Sequence, residues 1–523
     1  MWIRHKHFIS ILSILLIICI AVSTYLLYKQ QREGSLSSNS LLRYFLKDSS
    51  NSESFLAYLP HSGLSNQRIE LANALLLAAL LNRTLIVPPA FLGSVVGWMP
   101  FEQLEDHLSW LTTPKDFDLL CRLPTPGTLS SYVQRSKCAE YHQFAAIRWD
   151  QLHDFTTLIN KYNIHIRFQD TVSLAQLQKD LGLSSHDTYV HYDEHLYDWR
   201  LYEDVEEASS ILANGSNFVD SFTDRKFYKI FTSYHFKNRT ERLLHLGGVF
   251  GSTRMNMVEP AHIELQQQIS ETLHYRLDTP LGEAVANVVN HLGGKATYHA
   301  VHFRLRDMPF RKYATENMKQ FERNMTIATG GMVPPLPPYD RKTGQLVAPS
   351  KPPPAPKYVV SVEPHQDLTQ PPWSNVCRNL SPLFDNFGKE NENGAAAFNR
   401  TGRDIEGWRT VVYIATDHRD IRGNHSRVLE WFDYFPCTVT LNDIPPDLLA
   451  PLDSMHCLFN PSKTLRSYLI PLVDAMVAAH GKRVLTTPRS TFSKYIGELN
   501  EAWVLKEQGL NASSFWIYPD NFV

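Results

Sequence analysis

Three short segments in the C-terminal half collect residue types that handle a negatively charged leaving group. Tyr298 to Asp307 reads YHAVHFRLRD, in which Val301, Phe303 and Leu305 alternate with His302, Arg304 and Arg306. That period of two predicts a strand whose polar face carries His302 and Arg304 to its end, before Asp307, Met308 and Pro309 break it. Val411 to Asp417 reads VVYIATD, a buried strand run ending in a hydroxyl and a carboxylate. Arg483 to Ser493 reads RVLTTPRSTFS, a strand whose exit puts Arg489, Ser490 and Thr491 at the start of the next helix. A guanidinium offers paired, charge-assisted bonds to a phosphate, and a helix start offers free N–H groups and partial positive charge. Asp417, and Asp474 in the helical stretch YLIPLVDAMVAAHG, supply acceptors for ribose hydroxyls or purine N–H groups. In open α/β sheets such groups meet beyond the C-terminal strand edges. The chain has neither G-x-G-x-x-G nor a P-loop, which excludes a standard dinucleotide or ATP site. Taken singly, each segment is also an ordinary edge strand, buried strand or helix cap. Their occurrence together, in this order, carries the functional expectation.

A fourth segment lies near the start. Tyr58 to Pro89 reads YLPHSGLSNQRIELANALLLAALLNRTLIVPP, a polar loop with Gly63, Ser65, Asn66, Gln67 and Arg68, then an apolar helix and a strand. The plain alternative is an Asn-capped helix with Arg68 on its wet face. Asp116-Phe117-Asp118 matches the D-x-D of metal-dependent transferases, but it falls in a charged loop far from the other motifs, so no metal is expected.

The elements around these motifs follow from bulk properties. A chain of 523 residues suggests two sizeable domains, and a net charge of −2 gives no reason to expect nucleic acid. Residues 8–27 (FISILSILLIICIAVSTYLL) carry no charge over a length that crosses a bilayer core. A cleaved signal peptide is usually shorter and ends in small residues, so an uncleaved signal-anchor is expected, with residues 1–7 as a cytosolic tail. Flanking charges orient it only weakly. Eight N-x-Ser/Thr acceptor patterns, at Asn82, Asn214, Asn238, Asn324, Asn379, Asn399, Asn424 and Asn511, favour a lumenal body. Beyond the anchor stand Cys121, Cys138, Cys377, Cys437 and Cys457 without zinc-type spacing, which reads as one or two disulfides and one leftover thiol. Residues 28–53 read as a stem, 54–275 as a first α/β domain and 276–523 as a second. The second is interrupted at 330–372 by a stretch holding twelve of the 31 prolines, expected to be a surface insertion.

GLSNQR followed by LLNRTLIVPP resembles the N-terminal segment of the GDP-fucose-dependent fucosyltransferase superfamily, which includes the protein O-fucosyltransferases and α1,6-fucosyltransferases. HFRLRD resembles that family's H-x-R-x-x-D motif, YIATD its second motif, and Asp474 with STFS its third. The resemblance implies a GT-B fold, two facing Rossmann-like domains, with GDP-fucose held mainly by the second. It implies that Arg304 holds the β-phosphate with His302 beside the nucleoside and Asp307 orienting the arginine. Asp417 and Asp474 would bind sugar or guanosine groups, and Ser490, Thr491 and Phe492 would line the phosphates. Gly63, Asn66 and Arg68 would lie near the reacting centre. The family's loop has one more residue between the glycine and that asparagine, and the glutamate that serves some relatives as base is absent here. The implied activity is inverting, metal-independent transfer of fucose to a hydroxyl of a protein or glycan, by a single-pass type II protein of the Golgi or endoplasmic reticulum. The alternatives are a lumenal glycan- or client-binding pseudo-enzyme of the same fold, or a transferase using another GDP-sugar. Residues 90–270, expected to shape the acceptor side, match nothing in the family.

Overall fold

The structure is a computed structural model. It describes residues 53–112, 138, 141–213, 218–220, 225–329, 339–340, 345–346, 410–423, 426–429, 431–435 and 437–510. The anchor run, most of the stem, the D-x-D pattern, and the proline-rich stretch apart from the paired residues 339–340 and 345–346 lie outside them. Among the described residues no helix is long and apolar enough to cross a membrane.

Two all-parallel sheets organise the compact unit Ser54–Val523. The first is built from β1 (Phe55–Ala57), β2 (Thr84–Val87), β3 (Ile166–Phe168), β4 (Thr188–Val190) and β5 (Leu243–His245), in the order β3-β2-β1-β5-β4. β1 feeds α1 (Leu64–Leu81), which returns the chain to β2. α1 shows almost no sidedness because it is a core helix: Leu71 and Ala74 to Ala78 are all buried. A helix that is apolar all round has to be covered all round. It stops at Asn82, which adopts the left-handed conformation (φ 50°) and caps the carbonyls of Ala78 and Ala79.

The second sheet holds β6 (His299–Phe303), β7 (Val412–Thr416), β8 (Thr438–Thr440) and β9 (Val484–Thr486), in the order β8-β7-β6-β9. Helix α2 (Pro280–His291) precedes β6, α3 (Arg466–Ala479) crosses from β8 to β9, and α4 (Thr491–Asn500) follows β9. All five residues of β6 are buried, as are the first four of β7, as expected of parallel strands covered on both faces. One continuous core runs through both halves, from Leu56 and Leu75 to Ala300, Tyr413 and Met476.

This topology fixes where ligands fit. Each sheet has one point where successive strands leave in opposite directions, opening a crevice at the C-terminal edge. In the first sheet it lies between β1 and β5, and in the second between β6 and β9.

Two expectations about the surface receive structural detail. Asn82 and Asn238 are exposed, but Asn324 is buried within the helix Ala314–Ala328 and is a poor acceptor in the folded chain, so it drops out of the glycosylation argument. Cys138 and Cys437 are disulfide-bonded, while Cys457 is a free, buried thiol.

Candidate functional site

The crevice of the second sheet is lined by the residues that leave β6 and β9. His302 is the last residue but one of β6 and is buried, so the expected polar face of this strand is interior. Its Nδ1 lies 2.6 Å from Ser493 Oγ, and its ring meets Phe492 edge-on at 5.4 Å. Burial, with a smaller push from Arg304, lowers its pKa to about 3, so the ring is neutral in any working buffer. Arg304 is beyond the strand's end. Its backbone N–H donates to Thr487 Oγ1 (3.0 Å), and that hydroxyl donates to the His302 carbonyl (2.7 Å). Thr487, which the sequence reading passed over, thus stitches the two exits across the crevice.

The guanidinium of Arg304 forms a two-pronged pair with Asp307, Nε to Oδ1 at 3.0 Å and the second nitrogen to Oδ2 at 2.7 Å, and lies over Phe310 at 4.7 Å. Asp307 therefore orients it. The pair is partly exposed, so the cation is accessible from solvent and is held by one carboxylate.

Asp417 and Asp474 differ from expectation. Asp417 accepts the backbone N–H groups of Leu305 (2.8 Å) and Arg306 (3.2 Å), so it holds the arginine loop. Asp474 accepts from the Tyr413 hydroxyl and from the Thr416 N–H (2.9 Å), tying α3 to the end of β7. Burial raises its pKa to about 7. Both carboxylates already serve protein donors, and any nucleoside group would share their remaining lone pairs.

α4 begins as the sequence implied. Ser490 is its N-cap and accepts from the Ser493 N–H at 3.2 Å, so the helix starts directly after the exit of β9. Arg489, just before it, is exposed and left-handed (φ 62°).

The N-terminal segment arrives from the other sheet. Gly63 is the N-cap of α1, so Ser65, Asn66 and Gln67 belong to its first turn, with Arg68 just after, and not to a loop ahead of it. Thr491 Oγ1 donates to Asn66 Oδ1 at 2.9 Å, a bond between residues 425 positions apart. Arg68 is buried, not wet: its guanidinium lies 3.7 Å from the Tyr495 ring centre and 3.7 Å from a Glu498 oxygen, clamping α1 to α4. Gln67 bonds Phe91 N and O and is structural. The four motifs therefore converge on one crevice.

No family model matches the chain. O-fucosyltransferase 30 of Arabidopsis thaliana is 65% identical to it over 37 residues, so the chain spans 7% of the length of that curated relative. The solved structure of POFUT1 in complex with GDP-fucose aligns over 86% of this chain and 95% of that one at 9% identity, with a TM-score of 0.34. POFUT1 in complex with GDP aligns over the same shares at a TM-score of 0.33. Superpositions this loose carry no argument. The chain resembles the GDP-fucose-dependent fucosyltransferases. That statement stands on the motifs and the short, high-identity match.

Residues that the sequence reading missed lie at the crevice of the first sheet. His61 and Glu70 are fully buried, with Nε2 and Oε1 2.9 Å apart. The signal was a glutamate inside an apolar helix, which demands a partner. Nearby, His191, Asp193 and Asp198 bring three donor atoms within 4.8 Å of one another, the metal-capable set among the described residues. Asp198 Oδ2 already receives His191 Nε2 (2.9 Å) and Lys229 Nζ (3.0 Å), so an ammonium supplies the cation there. Burial raises Asp193 to a pKa of about 6.

Proposed function

We propose that the protein is an inverting transferase that moves fucose from GDP-fucose to a hydroxyl of a protein or glycan, on a GT-B scaffold. The observation that carries this reading is the Asn66–Thr491 hydrogen bond. It joins the segment resembling the family's first-domain motif to the one resembling its phosphate-lining motif, at the mouth where Arg304 stands. In this reading the first-turn amides of α4 and the guanidinium of Arg304 hold the diphosphate, and His302 stays neutral beside the nucleoside. As the sugar–oxygen bond breaks, negative charge grows on the leaving diphosphate. Fixed positive groups aimed there lower the barrier, each worth ~3–4 kcal/mol by analogy with oxyanion-hole donors. Arginine and helix start supply that charge without a metal. The type II anchor at residues 8–27 and a lumenal body in the Golgi or endoplasmic reticulum belong to the same proposal, supported by the uncharged run and the exposed Asn82 and Asn238.

The test is GDP release from GDP-fucose by the purified full-length chain, run beside GDP-mannose and with and without EDTA. Faster release from GDP-fucose, unaffected by EDTA, is expected. Preference for GDP-mannose would replace the donor, and binding without turnover would favour a pseudo-enzyme.

A further inference from the structure

We infer that Ser62, His61 and Glu70 form a proton relay that activates the acceptor hydroxyl. The inference rests on the transferase reading above and names the base that the loop itself lacks. His61 Nδ1 lies 2.8 Å from Ser62 Oγ. On the other side of the ring, Nε2 lies 2.9 Å from Glu70 Oε1, an ion-pair contact rather than an aligned hydrogen bond, while Glu70 Oε2 accepts the His61 backbone N–H at 3.0 Å. Carboxylate, imidazole and hydroxyl are thus in sequence, the arrangement that activates oxygen nucleophiles in general.

Three further features suit the role. First, the relay stands at the switch point of the first sheet. His61 follows β1, and Gly248 follows β5 so closely that a Cβ there would come 2.6 Å from His61 Nε2. Only glycine permits this approach, and Gly248 in turn donates to Asp193 at 2.6 Å. Second, Ser62 holds a left-handed backbone (φ 68°), a strained conformation for a residue with a side chain. Unlike its two partners, Ser62 is only partly buried. Third, Ser62 directly precedes Gly63, and one helical turn later Asn66 bonds Thr491 at the donor crevice.

Before the step His61 is in the tautomer that carries hydrogen on Nε2. The acceptor oxygen bonds to the anomeric carbon as the bond from that carbon to the diphosphate oxygen breaks, its electron pair leaving with GDP. The acceptor's proton passes to Ser62 Oγ while Ser62's own proton passes to His61 Nδ1. The imidazolium so formed is neutralised by Glu70. Ser62 is the catalytic residue, since it touches the acceptor, and His61 and Glu70 act through it.

The decisive variant is Ser62→Gly, because glycine accepts φ 68° without strain and the fold should be as stable as wild type or more so. With water as acceptor, GDP release from GDP-fucose should fall by about a hundredfold, the lower range for general-base catalysis, while GDP affinity measured by calorimetry stays the same. Ser62→Ala, which keeps the strain, should lose as much turnover. Glu70→Gln should lose turnover without loss of GDP affinity. If Ser62→Gly protein binds GDP and turns over at the wild-type rate, the relay is wrong and the transferase reading stands. If wild-type protein neither binds GDP nor cleaves GDP-fucose, the transferase reading fails and takes the relay with it.

Discussion

Replacing Arg304 tests the donor site directly, and the structure sets the size of the effect. Its guanidinium is spent on Asp307, with both carboxylate oxygens engaged, and the two side chains are 29% and 46% exposed. Such a pair contributes roughly 0–1 kcal/mol. Releasing the arginine to a diphosphate therefore costs at most about a factor of five, and Asp307→Asn should tighten GDP binding by no more than that. The same partial exposure means that Arg304→Ala should leave the melting temperature nearly unchanged. Turnover is another matter. A cation that meets charge as it develops is worth roughly a hundred- to a thousandfold in rate. Arg304→Lys keeps the charge but loses the two-pronged geometry and the stacking on Phe310, so it should be nearly as damaging as alanine. The assay is single-turnover GDP release, beside calorimetric GDP binding and a thermal melt. A stable Arg304→Ala protein with wild-type turnover would remove Arg304 from the chemistry and with it the donor-site assignment.

Other changes separate holding from chemistry. Thr491→Val removes the bond to Asn66, one net hydrogen bond of about 1 kcal/mol, and should lower the melting temperature slightly and turnover more. Arg68→Lys loses flat stacking on Tyr495 in a buried setting and should destabilise by about 1–2 kcal/mol, read from denaturant melts. Asp417→Ala frees the amides of Leu305 and Arg306, so turnover should fall while unfolding moves little. For pH, Asp474 has a folded pKa raised to about 7, so the folded state holds its proton where the unfolded chain has lost it. Its contribution is complete below the unfolded value near 4 and declines as pH rises toward 7. Buried His153 and His302, both lowered to about 3, act in the opposite sense and lose stability as pH falls below about 6.5. Melting temperature should therefore peak near pH 6.5, and Asp474→Asn should remove the fall from that peak to about pH 7 and steepen the acid limb.

The second sheet was legible because its strands are apolar runs with polar exits, and the exits fall where the sequence placed them. What the pattern misjudged was the facing of His302. Alternation implies one wet face, whereas a parallel strand covered by helices has none, and His302 bonds Ser493 inside the protein. The carboxylates were identified by type but not by partner. Asp474 meets Tyr413 from 61 residues away, and Asp417 meets Leu305 from 112, separations that no local pattern encodes. The family resemblance puts Arg68 near the reacting centre, and the plain alternative puts it on a wet helix face, yet the aromatic ring of Tyr495 covers it. Most of residues 90–270 was illegible for a related reason. There the described strands are two to four residues long, too short for a period to show.

The convergence of two switch points has a chemical consequence that neither sheet supplies alone. The β6/β9 crevice presents a cation and a helix start, which in the proposed transfer would stabilise a departing diphosphate. The β1/β5 crevice presents a hydroxyl backed by imidazole and carboxylate, which in the proposed relay would take up a proton. An inverting glycosyl transfer, as proposed, would need both on opposite faces of the anomeric carbon, because inversion requires the nucleophile to arrive opposite the leaving group. Asn66 and Thr491 span the boundary between the two, and Arg68 on Tyr495 fixes the helices that carry them. The spacing between proton acceptor and cation is therefore set by the packing of α1 on α4. A substitution that loosens this contact, such as Arg68→Lys, should slow sugar transfer by more than its loss of stability accounts for. Equal losses in the folded fraction and in turnover would mean that the contact only holds the fold.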